Sequence, residues 1–224
     1  MSRTVPVAAV LAAGLVLVAM AGPRTAAGLA GLPARPVIAE LRSGAAVAPR
    51  FVAVAIDSEK AALDWIDSGR GWAELGLLHW IRSRSGGLSG DDGRAALERT
   101  IALDRRGLAL SPAQAYVWTR LAHAELLGRG PAPRLGPLLE LAIASAPFDR
   151  RLVFTRLELC FTVWRQLDAA ARESVARQVR FAARLSPQRL AALAKRRHAT
   201  GLVRDALAET PDLRGAFGAA FLKL

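Results

Sequence analysis

The sequence predicts an all-α protein of antiparallel helical hairpins, and three observations support this fold class. Beyond residue 50, apolar side chains recur at helical spacing, as at Leu135, Leu139 and Ile143. No stretch between turn signals sustains the period-two alternation typical of a half-buried strand. Proline stops helices, and four candidate helix ends carry a small or hydroxyl residue followed by Pro. They are Ser111-Pro112, Ala146-Pro147, Ser186-Pro187 and Thr210-Pro211.

The first predicted element is an apolar N-terminal helix within residues 1–22. Residues 5–21 carry no charged side chain, and a bilayer-spanning helix needs about 17–25 such residues. Ala19 and Ala21 also form the small-x-small pattern found at the end of signal peptides. The segment is therefore either an uncleaved membrane anchor or a cleaved signal peptide, and both interpretations stay open.

The next 27 residues, 23–49, hold four Pro and several Gly, which indicates a linker. A helical body is then expected over residues 50–224. It would open with a capping helix at 50–65 and close with a terminal helix at 212–222. The turn-rich stretch at residues 83–93 predicts a loop inserted into the first half of this body.

An aromatic residue and a leucine recur ahead of three of the proline stops. The aromatic residues are Trp72, Trp118 and Phe154, and the leucines are Leu75, Leu121 and Leu157. A small residue stands five positions before each proline, at Gly107, Ala142, Ala182 and Ala206. This order resembles the tetratricopeptide repeat, whose pattern is W-x2-L-G-x2-Y, then A-x3-F, then Pro. The resemblance covers roughly residues 69–187 and implies a short solenoid of stacked hairpins.

The resemblance also implies binding or scaffolding rather than chemistry, because repeats of this family usually hold a peptide or partner protein in a concave groove. His79, Trp80 and His123 lie on the predicted first helices of their hairpins and are the candidate groove residues. The partners expected are other proteins linked to a membrane. Small proteins of this type in Gram-negative bacteria suggest a place at the inner membrane or in the periplasm, with the side of the membrane left open.

Positive charge is concentrated in one segment of a chain whose net charge is +12. Residues 172–197 carry eight Lys or Arg side chains against Glu173 alone. The candidate basic surface comprises Arg177, Arg180, Arg184, Arg196 and Arg197. Such a surface could meet anionic lipid, an acidic polymer or an acidic protein face. Nucleic acid is the least favoured target, since no nucleic-acid-binding motif is present.

Residues that would carry catalysis or bind a cofactor are few. One cysteine excludes an internal disulfide and a Cys-cluster metal site, and the three His are widely spaced. No phosphate-binding loop or dinucleotide fingerprint occurs. Cys160 lies on an apolar stripe, which predicts a buried packing residue. We therefore expect no enzyme activity and no cofactor. The expected function is that of a protein-binding scaffold or assembly factor of the cell envelope, or alternatively that of a structural subunit of a larger membrane complex.

Overall fold

The computed structural model describes residues 4–85, 87 and 90–224, and these described residues form α-helices with no strand. This confirms the predicted all-α class. The chain divides into two compact units, Met1–Ser111 and Pro112–Leu224. The first unit contains α1 (Thr4–Ala30), α2 (Ala34–Ser43), α3 (Pro49–Trp65), α4 (Gly69–Ser85) and α5 (Asp91–Leu110). The second contains α6 (Ala115–Arg129), α7 (Leu135–Ser145), α8 (Val153–Thr162), α9 (Ala169–Leu185), α10 (Pro187–Arg196), α11 (Thr200–Ala206) and α12 (Pro211–Phe221).

Helix α1 is apolar and lies largely outside the core of the first unit. Its segment Ala9–Ala30 has 22 residues with a mean hydropathy of 1.6, and none of its most apolar window is buried within the chain. A helix of this length and composition could be a membrane anchor or a signal sequence. Its C-terminal turns pack on α3, where the Ser58 hydroxyl donates a 2.7 Å hydrogen bond to the Ala30 carbonyl.

Residues 23–49, predicted as a linker, are instead mostly helical. Helix α1 continues through Pro23, and α2 follows after a short turn. Helix α2 is amphipathic and buries Ala34 and Ile38 in a core shared with α3 and α4. Pro36 lies in the first turn of α2, where the missing N–H would have no partner within the helix. A proline at such a position does not interrupt a helix. Composition does not show where in a helix a proline lies, so the proline content alone suggested a linker.

Helix α2 ends at a backbone conformation that only glycine adopts readily. Gly44 has a φ of 83°, in the left-handed region. The N–H of the next residue, Ala45, reaches back to the Glu40 carbonyl at 3.0 Å, which satisfies one of the last carbonyls of the helix. The chain then turns into α3, whose bounds match the helix predicted at residues 50–65, and the capping role of this helix stays a prediction.

Helices α4 and α5 form a long, closely packed hairpin. Gly107 on α5 faces Gly69 on α4, and a Cβ added to Gly107 would lie 3.0 Å from the Gly69 carbonyl oxygen. The two helices have 17 and 20 residues, against 15 and 11 in the next pair, α6 and α7. These longer helices account for the distance of 40 residues from Trp72 to Pro112, against 29 residues from Trp118 to Pro147. Of the loop insertion predicted at 83–93, residues 83–85 belong to α4 and 91–93 to α5, and residues 86, 88 and 89 lie outside the described residues.

The second unit pairs α6 with α7 and α8 with α9, and α9 also packs on α10, α11 and α12. Its apolar core runs from Ala122 to Ala220 and includes the buried side chains of Leu157, Val179 and Phe217. Pro187 and Pro211 open α10 and α12 at their first turns. At α10 the Ser186 hydroxyl accepts the Arg189 N–H at 3.2 Å, so this Ser-Pro pair acts as an N-cap followed by a helix-starting proline.

Candidate functional site

A cleft in the first unit lies among the end of α1, α2, α3 and the start of α4. Its volume is about 1020 Å³, and its walls include Gly28, Arg35, Glu59 and Glu74. Small residues let α1 approach α3 here: a Cβ added to Gly31 would lie 3.6 Å from the Ala62 Cβ. The contact between the two helices forms one wall of the cleft. We call it the Glu59 cleft.

Four arginines line the Glu59 cleft and two of them are held by one glutamate. Arg42 and Arg70 each donate to the same Glu74 carboxylate oxygen at 2.9 Å. Arg24 instead donates to the Met20 carbonyl at 2.8 Å, and Arg35 to the Gly28 carbonyl at 3.4 Å. Neither Arg24 nor Arg35 pairs with a carboxylate within the described part of the chain. The cleft therefore carries a net positive charge.

Glu59 is the exceptional group of this cleft. Only 6% of its surface is exposed, and among the described residues it forms neither a hydrogen bond nor an ion pair. Burial raises the pKa of its carboxyl to about 7, and the nearby Glu74 charge adds to this shift. Arg70, Arg35 and Arg42 act in the opposite direction. Near neutral pH the carboxyl is thus close to half protonated.

The candidate groove residues His79, Trp80 and His123 are not equivalent. His79 is buried on α4, so a partner cannot reach its side chain in this structure. Burial lowers the pKa of its imidazole to about 4, with Arg99, Lys60 and Arg82 adding to the effect, so the ring is neutral at physiological pH. Trp80 is half-buried under the Arg84 guanidinium, which lies 5.5 Å from its ring centroid. His123 is half-buried on α6 of the second unit, and a groove at these two residues stays a prediction.

The candidate basic surface divides into separate groups. Arg177 and Arg180 on α9 both pair with Glu173, at 3.5 and 3.3 Å, which neutralises part of their charge. Arg197, after α10, binds Glu158 on α8 at 2.6 Å. Arg184 and Arg196 are exposed and have no carboxylate partner among the described residues. An anion-binding role for this surface stays a prediction.

Two shallow grooves lie between helices of the second unit. The first, of about 230 Å³, runs between α8 and α10 and is lined by Phe154, Glu158, Arg189 and Leu193, together with Arg196. The Arg189 guanidinium lies 4.1 Å from the Phe154 ring centroid, which gives this groove a flat, charged wall. We call it the α8–α10 groove.

The second groove, of about 520 Å³, lies between α9 and α11. Its floor includes Trp164 and Val179, and its rim carries Arg180, Asp205 and Glu209. Arg180 also donates a hydrogen bond to the Ala206 carbonyl at 3.3 Å, which joins α9 to α11. Charges of both signs on this rim make it a less selective anion site than its arginines alone would suggest.

Two buried charged residues of the second unit have structural roles. The Glu125 carboxylate is fully buried and binds Arg129 and Arg134, each at 3.1 Å. The buried Arg156 donates to the Ala146 carbonyl at 2.8 Å and to the Thr119 hydroxyl at 3.4 Å. These contacts join α6 to the loop before α7, and α8 to the end of α7. Hydrogen bonds to charged groups of this kind fix the packing of the hairpins.

Cys160 is fully buried, as predicted. Burial raises the pKa of its thiol to about 12, so the side chain stays protonated and unreactive at neutral pH. Within the described part of the chain, no group of three His, Cys, Asp or Glu side chains is placed to hold a metal ion.

Comparison with protein-family models, with curated proteins and with solved structures gave no match to this chain. Sequence reasoning missed the Glu59 cleft, although one signal was present. Glu59 follows Val52, Ala55 and Ile56 on the apolar stripe of α3, and a carboxylate in that register is buried unless the stripe is exposed.

Proposed function

We propose that this protein is a non-catalytic, membrane-associated scaffold or assembly factor that binds another protein. The observation that carries the proposal is the α8–α10 groove. Helix α8 opens the predicted repeat that runs from Phe154 to Pro187, and α10 opens the helical pair predicted after it, at residues 188–209. In the tetratricopeptide repeat, first helices line the surface that holds a partner peptide.

The chemistry of the α8–α10 groove suits a peptide with both apolar and charged side chains. Phe154 and Leu193 offer apolar surface, and Glu158, Arg189 and Arg196 offer charges of both signs. The Arg189–Phe154 contact holds both side chains in a defined geometry, so less conformational freedom is lost on binding. Protein interfaces are enriched in aromatic and arginine side chains of this kind.

Site-specific photocrosslinking in cells tests the scaffold proposal. A photoreactive amino acid at Thr155 or Ala192, both beside or within the groove, is expected to capture one and the same partner. At Ala216, an exposed position on α12, it is expected to capture none. The substitution Arg189→Glu should abolish capture from Thr155. Capture of unrelated proteins from all three positions, or capture unaffected by Arg189→Glu, would contradict the proposal.

A second function, structural subunit of a larger membrane complex, is favoured by a different observation. The apolar window of α1 is not buried within the chain, so its surface needs lipid or other helices. Extraction of the full chain in a mild detergent separates the two functions by native gel electrophoresis. A subunit migrates in one large assembly of fixed composition, whereas a scaffold is recovered partly as free protein with a detergent micelle.

A further inference from the structure

The Glu59 cleft combines features that together describe a ligand site. It is concave, it is lined by four arginines, and its lining includes Glu59, whose surface is only 6% exposed and whose carboxyl has no hydrogen-bond partner in the described part of the chain. The carboxyl oxygens of this side chain are open to the cleft and lack the protein partners that polar groups in protein interiors usually have. An unpartnered polar group facing a cleft is therefore a place where a ligand atom can complete the site.

The charges around the cleft select an anion. Arg24, Arg35, Arg42 and Arg70 contribute four positive charges and Glu74 one negative charge, which leaves +3 with Glu59 protonated and +2 with Glu59 ionised. Glu74 binds one nitrogen of Arg42 and one of Arg70. Each guanidinium has five N–H donors, so both retain free donors for a second acceptor. Arginine forks of this kind suit the oxygens of a phosphate group.

The position of the cleft along α1 indicates where the phosphate comes from. Helix α1 has 27 residues, a length of about 40 Å at 1.5 Å per residue, whereas the hydrocarbon core of a bilayer is about 30 Å thick. With residues 5–21, the uncharged part of α1, in a bilayer, the last turns of α1 extend into the headgroup layer. Arg24 and Gly28, which line the cleft, belong to these turns.

We propose that the Glu59 cleft binds the phosphate group of an anionic phospholipid headgroup, held by Arg24 and Arg35 and hydrogen-bonded by the protonated Glu59 carboxyl. The proposal goes beyond the protein-binding function because it concerns the first unit alone and requires no partner protein. Arg42 and Arg70, fixed by Glu74, supply further donors at the far wall of the cleft.

Binding of this ligand takes up a proton. A phosphate beside Glu59 disfavours the ionised carboxyl, so the pKa of Glu59 in the complex lies above its value in the free protein, about 7. Affinity therefore rises as the pH falls from 8 to 6. Glu74, Arg24, Arg35, Arg42 and Arg70 are the other charged groups that line the cleft from α1, α2 and α4.

The test uses the full chain in an uncharged detergent and a radiolabelled short-chain phosphatidylglycerol in a scintillation proximity assay. Unlabelled phosphatidylglycerol, phosphatidylcholine and glycerol phosphate compete separately, at pH 6 and pH 8. Phosphatidylglycerol is expected to compete at least about tenfold better than phosphatidylcholine, because only the former adds a net negative charge. Equal competition by the two lipids would overturn the proposal. Glycerol phosphate competing as well as phosphatidylglycerol would leave a phosphate site and overturn the lipid as its source.

Variants separate the cleft from general surface charge. R24Q with R35Q is expected to weaken binding about twentyfold, at about fivefold for each arginine near an anionic headgroup. The matched control, R82Q with R99Q, removes two exposed arginines of the same unit outside the cleft and should change binding less than about twofold. Equal losses in the two double variants would overturn the site. A39E, at an exposed cleft position on α2, supplies a second test should the first variant fold poorly, and unchanged binding in A39E would also overturn it.

E59Q tests the role of the carboxyl. An amide keeps a hydrogen-bond donor at this position at every pH, so E59Q should bind at pH 8 about as well as the natural chain binds at pH 6. Its affinity should be the same at both pH values. A pH dependence in E59Q equal to that of the natural chain would overturn the assignment of the proton to Glu59.

Discussion

The first unit buries Glu59 at the edge of a cleft, and the second buries Glu125 between two arginines. Both residues are buried, with 6% of the Glu59 surface and none of the Glu125 surface exposed. Glu125 binds Arg129 and Arg134 at 3.1 Å, whereas Glu59 has no hydrogen bond or ion pair among the described residues. Burial without a partner costs free energy, so a folded chain retains it only where something else compensates. The comparison separates a charge that stabilises packing from a charge that is available to a ligand.

Removing two arginines that bind Glu125 should produce the largest loss of stability. R129A with R134A takes away two ion pairs from a fully buried carboxylate, and the expected cost is about 3–5 kcal/mol of unfolding free energy. Chemical denaturation followed by far-UV circular dichroism measures it. Adding E125Q to the double variant removes the buried charge and should restore much of the lost stability. A triple variant as unstable as the double variant would show that the arginines stabilise the unit by some other contact.

Removing the charge of Glu59 should have the opposite sign. The folded-state pKa of about 7 lies above the ordinary glutamate value of 4.5, so ionisation above pH 7 opposes folding and the penalty disappears as the pH falls towards 4.5. E59Q should therefore stabilise the chain by about 2–3 kcal/mol at pH 8 and by little at pH 5. Denaturation of both chains at the two pH values measures this difference. A loss of stability at pH 8 would show that Glu59 is internally paired, as Glu125 is.

The pKa of His79, in the same unit, is shifted on folding in the opposite direction to that of Glu59. The pH profile of the natural chain therefore does not report on Glu59 alone, whereas its comparison with E59Q does. The folded-state pKa of His79 is lowered from 6.5 to about 4, so the unfolded chain binds more protons between these values. This group makes the unit less stable as the pH falls from 6.5 to 4. The pH profile of the natural chain alone would mix the two effects, whereas His79 is common to both chains and cancels in their difference.

Two glycines, one in each unit, differ in the space around them, and substituting them should give a smaller effect. A Cβ added to Gly69 would lie 2.6 Å from the Ser111 Cβ and 2.8 Å from the Gly107 carbonyl oxygen. Gly69→Ala should therefore force α4 and α5 apart and cost about 1–2 kcal/mol. The matched control is Gly215→Ala on α12, where an added Cβ meets nothing within 4 Å and a gain of about 0.5–1 kcal/mol is expected. Thermal denaturation that shows equal shifts for both variants would contradict the close approach of α4 and α5.

The sequence pattern predicted the positions of most helices better than it predicted the segments between them. Periodicity and the proline stops placed α3 and the pairs from α4 to α9 because both signals act within one helix. Residues 23–49 were misinterpreted because a proline in the first turn of a helix has the same composition signal as a proline in a linker. A count of residues likewise could not distinguish longer helices in α4 and α5 from an inserted loop.

The candidate sites were predicted less well because they depend on contacts between distant residues. Arg177, Arg180 and Arg197 were expected to form one basic surface, but their pairing with Glu173 and Glu158 is decided by which helices lie side by side. His79 has the spacing of a groove residue, yet it is buried. The Glu59 cleft is formed by α1, α2, α3 and α4. A sequence pattern within α3 cannot show that the Glu59 side chain faces the other three helices.

The smallest expected effect is the coupling between Glu158 and Arg197, and it tests how burial changes the strength of an ion pair within the second unit. Glu158 binds Arg197 at 2.6 Å, closer than Glu125 binds its partners, but the two side chains are 38% and 41% exposed. Distance alone would make this the stronger pair, whereas solvent screening makes it the weaker one. A double-mutant cycle with E158Q and R197Q should give a coupling of about 0.2–1 kcal/mol, falling further at high salt. A coupling as large as the loss in R129A with R134A would mean that distance, and not exposure, decides what an ion pair contributes in this protein.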